Sequence, residues 1–277
     1  MDLAASIVDN MLFPFRTFYF ETDMSAKDFG PIESDYAFFM AHATEAESDV
    51  AEYARKLTGF ADGRTTIHML DFGCGCGDFT ERLLSCLNWP TRLLELTLIE
   101  PVRPQLAEAA RRLARFSDQP ISIQQKLPDG AGRQFDLILS NHVLYYVGDL
   151  DATLRQFVAA LAPNGALLLA IAGWDNLLME LWTAGFEMLG EEVPYHAADD
   201  VAAALSRLGT AFEQTKCPCR LQFPDSTENR LKILRFLFAD HLRRIPVDRL
   251  LSKFDRFARG SNIVVDTHSD HFVLRGR

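Results

Sequence analysis

Long apolar runs are missing from this sequence. The longest, ALLLAIAG at residues 166–173, suits a buried strand and is far shorter than the roughly 20 residues that cross a bilayer. The first residues, MDLAASIVDNMLFPFR, also lack the basic start and the long apolar core of a secretion signal. We therefore expect no membrane partner and a cytoplasmic location.

Positive charge is scarce as well. The 277 residues include 28 Lys and Arg against 38 Asp and Glu, a formal net charge of −10. Proteins that bind nucleic acids usually carry a basic surface, so we expect no nucleic-acid partner. An odd number of cysteines in a chain of this length favours reduced thiols over a disulfide framework. The five cysteines are Cys74, Cys76, Cys86, Cys217 and Cys219.

Repeats, low-complexity tracts and long linkers are not found either, which favours a single domain over residues 1–277. With 48% hydrophobic and 24% charged residues, the composition is that of an ordinary globular protein. We divide the chain into an N-terminal helical segment (1–60), a central part in which strands and helices alternate (61–173) and a C-terminal part of helices and closing strands (174–277).

Apolar runs alternate with helical patterns between Thr66 and Gly173. Strands that are apolar throughout and separated by helices form a parallel sheet covered on both faces. The predicted strands here are TIHMLDF, LLELTLIE, ISI, FDLILSN and ALLLAIA. Outside this region, helices are predicted over 33–57, 174–190, 199–209, 226–242 and 246–259, and strands at AFEQTKCPCRLQF, NIVVD and HFVLRG. The fold class is therefore α/β.

A glycine-rich loop follows the first predicted strand, with Asp71, Gly73, Gly75 and Gly77 at alternate positions. Glycine tolerates a positive φ and lets a ligand approach the backbone. The next helix begins directly after the loop, so its free N–H groups could face an anion. A simple tight turn would also explain the loop. The second strand ends at Glu100, whose carboxylate could accept hydrogen bonds from the ribose of a bound nucleoside.

The glycine spacing differs from the GxGxxG of dinucleotide folds and resembles the first motif of the class I S-adenosylmethionine-dependent methyltransferases. Glu100, FDLILSN and LAPNGALLLAIAG match later motifs of that family in order. The resemblance implies a Rossmann-like fold with a seven-stranded, mostly parallel sheet, one antiparallel strand and added helices that form a substrate lid. It implies S-adenosylmethionine as cofactor. The residues expected to bind it are Asp71, Gly73, Gly75, Gly77, Glu100, Pro101, Gln124, Gln125, Asn141 and His142.

Three further stretches resemble the histamine N-methyltransferase family: YAFFMAHATEAESDV, NHVLYYVGDLDATL and GWDNLLMELW. The resemblance implies a small amine or imidazole as methyl acceptor. The residues expected on the substrate side are Glu45, Tyr146, Trp174 and Thr267, with Glu45, His142 and Tyr146 as candidate catalytic residues. His142, Thr267 and Leu178 stand where that family has glutamine, asparagine and a second tryptophan, so a related amine is expected rather than histamine itself.

Glu45 and His142 are the candidates for handling the proton of the acceptor. Glu45 could hold a cationic amine, and the ordinary pKa of histidine lies near working pH, so His142 could accept a proton. On a continuous helix, however, Glu45 falls opposite an apolar stripe that includes Tyr36, Phe39 and Tyr53, and it would then face solvent.

Other functions remain open at this point. Cys74 and Cys76 with Cys217 and Cys219 could form a metal site, but small side chains suit a crowded loop and we expect no metal. The alternatives to an N-methyltransferase are an O-methyltransferase acting on a hydroxyl or carboxylate, and a protein that binds the cofactor without catalysis.

Overall fold

The computed structural model describes residues 30–127 and 134–276, and eight strands within them form one sheet. The resemblance predicts that the N-terminal helical segment (1–60) forms part of the substrate lid, and its residues before 30 lie outside the described residues. The strands are β1 (Ile67–Phe72), β2 (Leu94–Ile99), β3 (Ser122–Gln124), β4 (Phe135–Asn141), β5 (Leu161–Ile171), β6 (Glu213–Pro224), β7 (Ala258–Arg259) and β8 (Asn262–Arg275).

The sheet order is β3-β2-β1-β4-β5-β8-β6, with β7 paired to β8 beside this path. The first five strands pair in parallel, whereas β8 runs antiparallel to both β5 and β6. The mostly parallel sheet with an antiparallel β8 is thus as predicted. The chain order reverses between β1 and β4, and ligands bind α/β sheets at the carboxyl ends of the strands beside such a reversal.

Two features of the C-terminal strands correct the sequence prediction. The sheet has eight strands rather than seven, because a turn at Gly260, whose φ is 60°, folds Ala258 and Arg259 back onto the start of β8. The stretches NIVVD and HFVLRG are not two strands. They are the ends of the single 14-residue strand β8, because β6 pairs with β8 without interruption from Asn262 to Val273.

Nine α-helices lie in the described residues and cover both faces of the sheet. They are α1 (Glu33–His42), α2 (Glu45–Lys56), α3 (Asp78–Leu87), α4 (Arg103–Leu113), α5 (Leu150–Ala160), α6 (Leu177–Leu189), α7 (Ala198–Arg207), α8 (Thr227–Phe238) and α9 (Val247–Leu251). The helix predicted over 246–259 is shorter than expected, since a 3₁₀ turn from Ser252 replaces it after α9. None of the helices in these ranges is long and apolar enough to cross a membrane.

The buried side chains form one layer on each face of the sheet. Tyr53 of α2, Leu83 of α3 and Leu106 of α4 belong to the layer on one face. Phe157 of α5 and Trp182 of α6 belong to the other. Residues of β8 point alternately to the two faces, because successive side chains of a strand do so. The carboxyl ends of β1, β2 and β4 carry the candidate site.

Candidate active site

The glycine loop between β1 and α3 uses its three glycines in different ways. All three have a positive φ, of 74°, 52° and 78° for Gly73, Gly75 and Gly77. A Cβ on Gly73 would lie 2.4 Å from Val143, and one on Gly77 would lie 3.1 Å from the Cα of Ala109. At Gly75, by contrast, no described atom lies within 4 Å of the Cβ position. Gly75 therefore leaves open space against the loop backbone.

Glu100, at the end of β2, holds this loop in place. Its Oε2 accepts a hydrogen bond from the backbone N–H of Gly75 at 3.1 Å, and its Oε1 accepts one from Val102 at 2.9 Å. Burial raises the pKa of Glu100, while these two N–H groups counteract the rise. Each carboxylate oxygen keeps a further acceptor position. Glu100 thus lies against the loop, as required of a ribose partner.

Asp71, in β1, is hydrogen-bonded to α3. Its carboxylate is buried and accepts a hydrogen bond from the hydroxyl of Thr80 in α3 at 2.6 Å. Burial raises the pKa of Asp71 to about 6, although the Thr80 hydrogen bond opposes the rise. Within the described residues, Asp71 ties the end of β1 to the helix that follows the loop. This places it as a support of the loop.

The other residues expected at the cofactor lie around the same strand ends. Gln124 ends β3, and its carbonyl accepts the backbone N–H of Glu100. Gln125 donates from Nε2 to the carbonyl of Pro101 at 3.0 Å. Asn141 ends β4, and its Oδ1 is buried without a partner among the described residues. A buried acceptor left in this way favours a ligand that supplies a donor.

These residues fit S-adenosylmethionine, the cofactor that the sequence resemblance implies. Its ammonium group is a donor that would suit the free Oδ1 of Asn141, and its ribose hydroxyls are donors that would suit Glu100. The open space at Gly75 allows a ligand to approach the backbone. The ends of β1, β2 and β4 therefore stay the predicted binding region.

A break between α1 and α2 brings Glu45 inward. The sequence predicts one helix over 33–57, but the structure has two, because Ala43 forms a β-bridge with Leu221 of β6. Thr44 fixes the break: its N–H donates to the carbonyl of Arg220, and its hydroxyl accepts the N–H of Arg220. Only 17% of the Glu45 side chain is exposed. A continuous helix would turn Glu45 away from the apolar stripe, and the break between α1 and α2 removes this constraint.

His142 lies next to Glu45, directly after β4. Its Nε2 donates a hydrogen bond to Oδ2 of Asp49 at 2.9 Å and lies 3.6 Å from Oε2 of Glu45. Its Nδ1 lies 3.1 Å from the hydroxyl of Tyr145. Burial acts to lower the pKa of His142. The negative charge of Glu45, together with the hydrogen bond and the negative charge of Asp49, has the larger opposite effect and raises this pKa to about 9. A raised pKa favours the protonated imidazole near pH 7 and argues against His142 as the proton acceptor there, so its catalytic role stays a prediction.

Asp49 is the residue of this group that the sequence reasoning missed. It lies fully buried one helical turn after Glu45, and its Oδ1 accepts a hydrogen bond from Nε2 of His271 at 2.7 Å. Burial acts to raise the pKa of Asp49, but the hydrogen bonds from His142 and His271 hold it well below its ordinary value. The spacing of Glu45 and Asp49 by four residues, which places both carboxylates on one side of a helix, was the available signal.

The acceptor-side residues are only partly brought together. Glu45 and Thr267 line one small concavity between α2 and β8, and Leu178 also contributes to it. Its other lining residues are Phe39, Ala43, Asn176, Leu177, Cys219, Arg220, Leu221 and Val265. Tyr146 and Trp174 do not line it. Tyr146 packs against Tyr145 and Tyr195, and Trp174 is 36% exposed in the loop after β5.

The arrangement of possible metal ligands differs from the one considered from the sequence. No group of three such ligands in residues 30–127 and 134–276 joins the cysteines of the glycine loop to Cys217 or Cys219. Asp49, Cys217 and His271 do lie together, with their polar atoms within 4.8 Å of one another. The hydrogen bonds of Asp49 to His142 and His271 account for the grouping of these side chains without an ion. The five cysteines are free thiols.

Comparisons with known proteins agree with the fold. Residues 70–167 match a family model described as a methyltransferase domain. Histamine N-methyltransferase of Xenopus tropicalis is 24% identical over 228 residues, which span 71% of this chain and 75% of that protein. Carnosine N-methyltransferase 2 of Gallus gallus is 26% identical over 202 residues, or 65% of this chain and 62% of that protein.

Among solved structures, the YcgJ protein of Bacillus subtilis superposes with a TM-score of 0.55 at 16% identity, covering 83% of this chain and 98% of that one. This likeness supports the fold, and the family match supplies the activity. The chain thus carries a methyltransferase domain that contains the glycine loop and the acidic residue at the end of β2. It is an S-adenosylmethionine-dependent methyltransferase of the class I fold, and its sequence resembles histamine N-methyltransferase.

Proposed function

We propose that the protein transfers a methyl group to a nitrogen atom of a small amine or imidazole-type acceptor. One observation carries this proposal: the Glu45 carboxylate is largely buried, lies 3.6 Å from His142 and lines the concavity that also contains Thr267. A buried carboxylate beside the end of β4 suits a ligand that is cationic or that has an N–H group to donate.

Within the proposed reaction, the loop, Glu100 and Asn141 would hold the cofactor, which supplies an electrophilic methyl group when bound. Glu45 would orient the acceptor nitrogen and take the proton that the nitrogen loses. Burial raises the pKa of Glu45, and the positive charge of His142 partly offsets the rise. A carboxylate with a raised pKa is a better proton acceptor than an exposed one. Holding the two reactants in line supplies much of the remaining rate increase.

The relatives support an imidazole-containing acceptor, since two of them are named for histamine and carnosine. The substrate-side departures argue for a different compound. His142 places a cation where the histamine N-methyltransferase family has a neutral glutamine, and Leu178 makes one wall of the concavity apolar. We therefore propose an acceptor with one basic nitrogen that pairs with Glu45 and an apolar part that contacts Leu178.

The test is methyl transfer from radiolabelled S-adenosylmethionine to a panel of imidazoles, primary and secondary amines, phenols and carboxylic acids, with the products identified by mass spectrometry. N-methylated imidazoles or amines are the expected products. Methyl esters or ethers alone would replace the proposal with an O-methyltransferase. Cofactor binding without any product would replace it with a non-catalytic function.

The other expectations from the sequence stay proposals. A single domain is supported by the sheet, since residues 61–173 supply five strands and residues 174–277 supply three. A reducing compartment such as the cytoplasm is supported by the five free thiols. The net charge of −10 supports a small-molecule partner over a nucleic acid.

A further inference from the structure

The Asp49 carboxylate joins two histidines that are far apart in the sequence. The Nε2–H of His142, after β4, donates to Oδ2 at 2.9 Å, and the Nε2–H of His271, in β8, donates to Oδ1 at 2.7 Å. Both Asp49 and His271 are 0% exposed. A buried carboxylate with a donor on each oxygen has its plane fixed, and hydrogen bonds to an ionised group are the strong ones.

We infer that Asp49 is a positioning residue for methyl transfer, which acts through His142 on the Glu45 carboxylate. The inference rests on the proposed function, because Glu45 is there the group that handles the acceptor nitrogen. Nε2 of His142 is the atom shared by the two acids, at 2.9 Å from Asp49 and 3.6 Å from Glu45. His271 takes the other oxygen of Asp49 and so directs Oδ2 towards His142.

The backbone of His142 has an uncommon conformation. The φ of His142 is 56°, a left-handed conformation that costs a residue with a side chain roughly 1–2 kcal/mol. Its backbone N–H donates to the carbonyl of Ala170 in β5, and its Nδ1 contacts the hydroxyl of Tyr145. Asp49 adds a third contact, the hydrogen bond from Nε2. The contacts of Nδ1 and Nε2 place Nε2 beside the two carboxylates.

The charge of His142 depends on the groups around it. The titratable or polar groups that surround His142 come from α2, β6, β8 and the turn after β4. They are Glu45, Asp49, Tyr53, Tyr145, Cys217, Cys219, Ser269 and His271. Burial raises the pKa of Cys217 to about 12 and that of Cys219 further, so both are neutral thiols at pH 7.

The two carboxylates are thus the groups that keep His142 protonated, and the resulting cation acts back on Glu45. Burial has the largest effect on the pKa of Glu45 and raises it. The positive charge of His142 lowers this pKa, and the negative charge of Asp49 raises it by a smaller amount. Without Asp49, the pKa of His142 falls, a smaller fraction of His142 is protonated at a given pH, and the pKa of Glu45 rises. A protonated Glu45 can neither hold a cationic acceptor nor take a proton.

The first experiment follows the imidazole of His142 by NMR in protein labelled at histidine. The wild type is expected to titrate near pH 9, and Asp49→Asn to lower this value by at least about one pH unit. Tyr53→Phe is the matched control, since its hydroxyl is buried on the same helix without a hydrogen-bond partner among the described residues. A His142 that titrates at or below its ordinary value in the wild type would overturn the inference without any variant.

The second experiment is a double-mutant cycle on kcat/KM for the acceptor, measured against pH. Asp49→Asn should lower kcat/KM about tenfold and move the acidic limb of the profile to higher pH. In a His142→Gln background the same change should cost less than about twofold, because Asp49 acts through the imidazole. Equal losses in the two backgrounds would mean that Asp49 is merely structural, and the inference would be abandoned.

Two further measurements separate this inference from the proposed function. If the wild type methylates no amine or imidazole, the proposed function fails, while the NMR titration still decides whether Asp49 controls His142. If mass spectrometry of the purified protein finds one zinc ion per chain, which Asp49→Asn removes, Asp49 binds metal and the inference fails. Calorimetry with S-adenosylhomocysteine should give the wild-type affinity for Asp49→Asn and for Tyr53→Phe.

Discussion

Gly73 and Val143 pack so closely that a Cβ on Gly73 would lie 2.4 Å from both methyl groups of Val143. Gly73 follows β1 and Val143 follows β4, so this contact joins the two chain segments on either side of the order reversal in the sheet. The contact fixes the first part of the loop and leaves Gly75 beside open space. Replacing Gly73 or Gly75 by alanine should therefore have different effects on stability and on cofactor binding.

Gly73→Ala should destabilise the protein, because the added methyl group meets Val143 and the backbone has a φ of 74°. We expect a loss of roughly 1–3 kcal/mol in the free energy of unfolding. Gly75→Ala should cost only the strain of a positive φ, about 1 kcal/mol, but should weaken cofactor binding. Thermal unfolding and calorimetry with S-adenosylhomocysteine measure the two effects.

Gly63→Ala is the control for these variants, since Gly63 also has a positive φ, of 72°, with no described atom within 4 Å of its Cβ position. It should match Gly75→Ala in stability and bind the cofactor as the wild type does. Equal cofactor affinity in the Gly63 and Gly75 variants would remove the loop from the cofactor site.

Glu100→Ala should weaken cofactor binding about 10- to 100-fold, because the loop loses the acceptor of the Gly75 N–H and the ribose loses its partner. The measurement is calorimetric titration with S-adenosylmethionine. Asp118→Asn, an exposed acidic residue before β3, serves as a control and should bind normally. An unchanged affinity of Glu100→Ala would contradict the assignment of the β2 end.

Glu45→Gln should raise the KM for the acceptor and lower kcat, with cofactor affinity unchanged, since the amide keeps the shape of the side chain but carries no charge. We expect a loss of about tenfold or more in kcat/KM. Glu47 lies on the same helix but is exposed and paired with Arg82. The kinetics of Glu47→Gln should therefore match those of the wild type. Unchanged turnover in Glu45→Gln would exclude Glu45 from the reaction.

The raised pKa of His142 makes a prediction for stability against pH. A histidine whose pKa is about 9 when folded, against an ordinary value of 6.5, contributes stability that is fully present below pH 6.5. This contribution disappears as the pH rises through 9. The difference in unfolding free energy between the wild type and His142→Gln should therefore shrink by roughly 1–3 kcal/mol between pH 6 and pH 10. Denaturant unfolding at a series of pH values measures it, and parallel curves for the two proteins would show that His142 is not held as a cation.

The cofactor half of the fold could be predicted because its signals are local. Apolar runs between helical patterns indicate parallel strands, and the positions of Gly75 and Glu100 follow from the ends of two of those strands. The acceptor half depends on contacts that sequence periodicity does not contain. The helix breaks at Ala43 because that residue pairs with Leu221, 178 positions later. The burial of Asp49 depends in turn on this break and on His271.

The length of β8 has a consequence for how acceptor preference could vary among related chains. Thr267, Ser269 and His271 occupy alternate positions of this strand and point to the α2 side, while the strand is hydrogen-bonded to β6 and, from Asp270 onward, also to β5. A slip of one residue would turn all three side chains to the opposite face. Substitutions at these positions therefore reshape the acceptor side without disturbing strand pairing, whereas an insertion or deletion in β8 would remove the whole set at once.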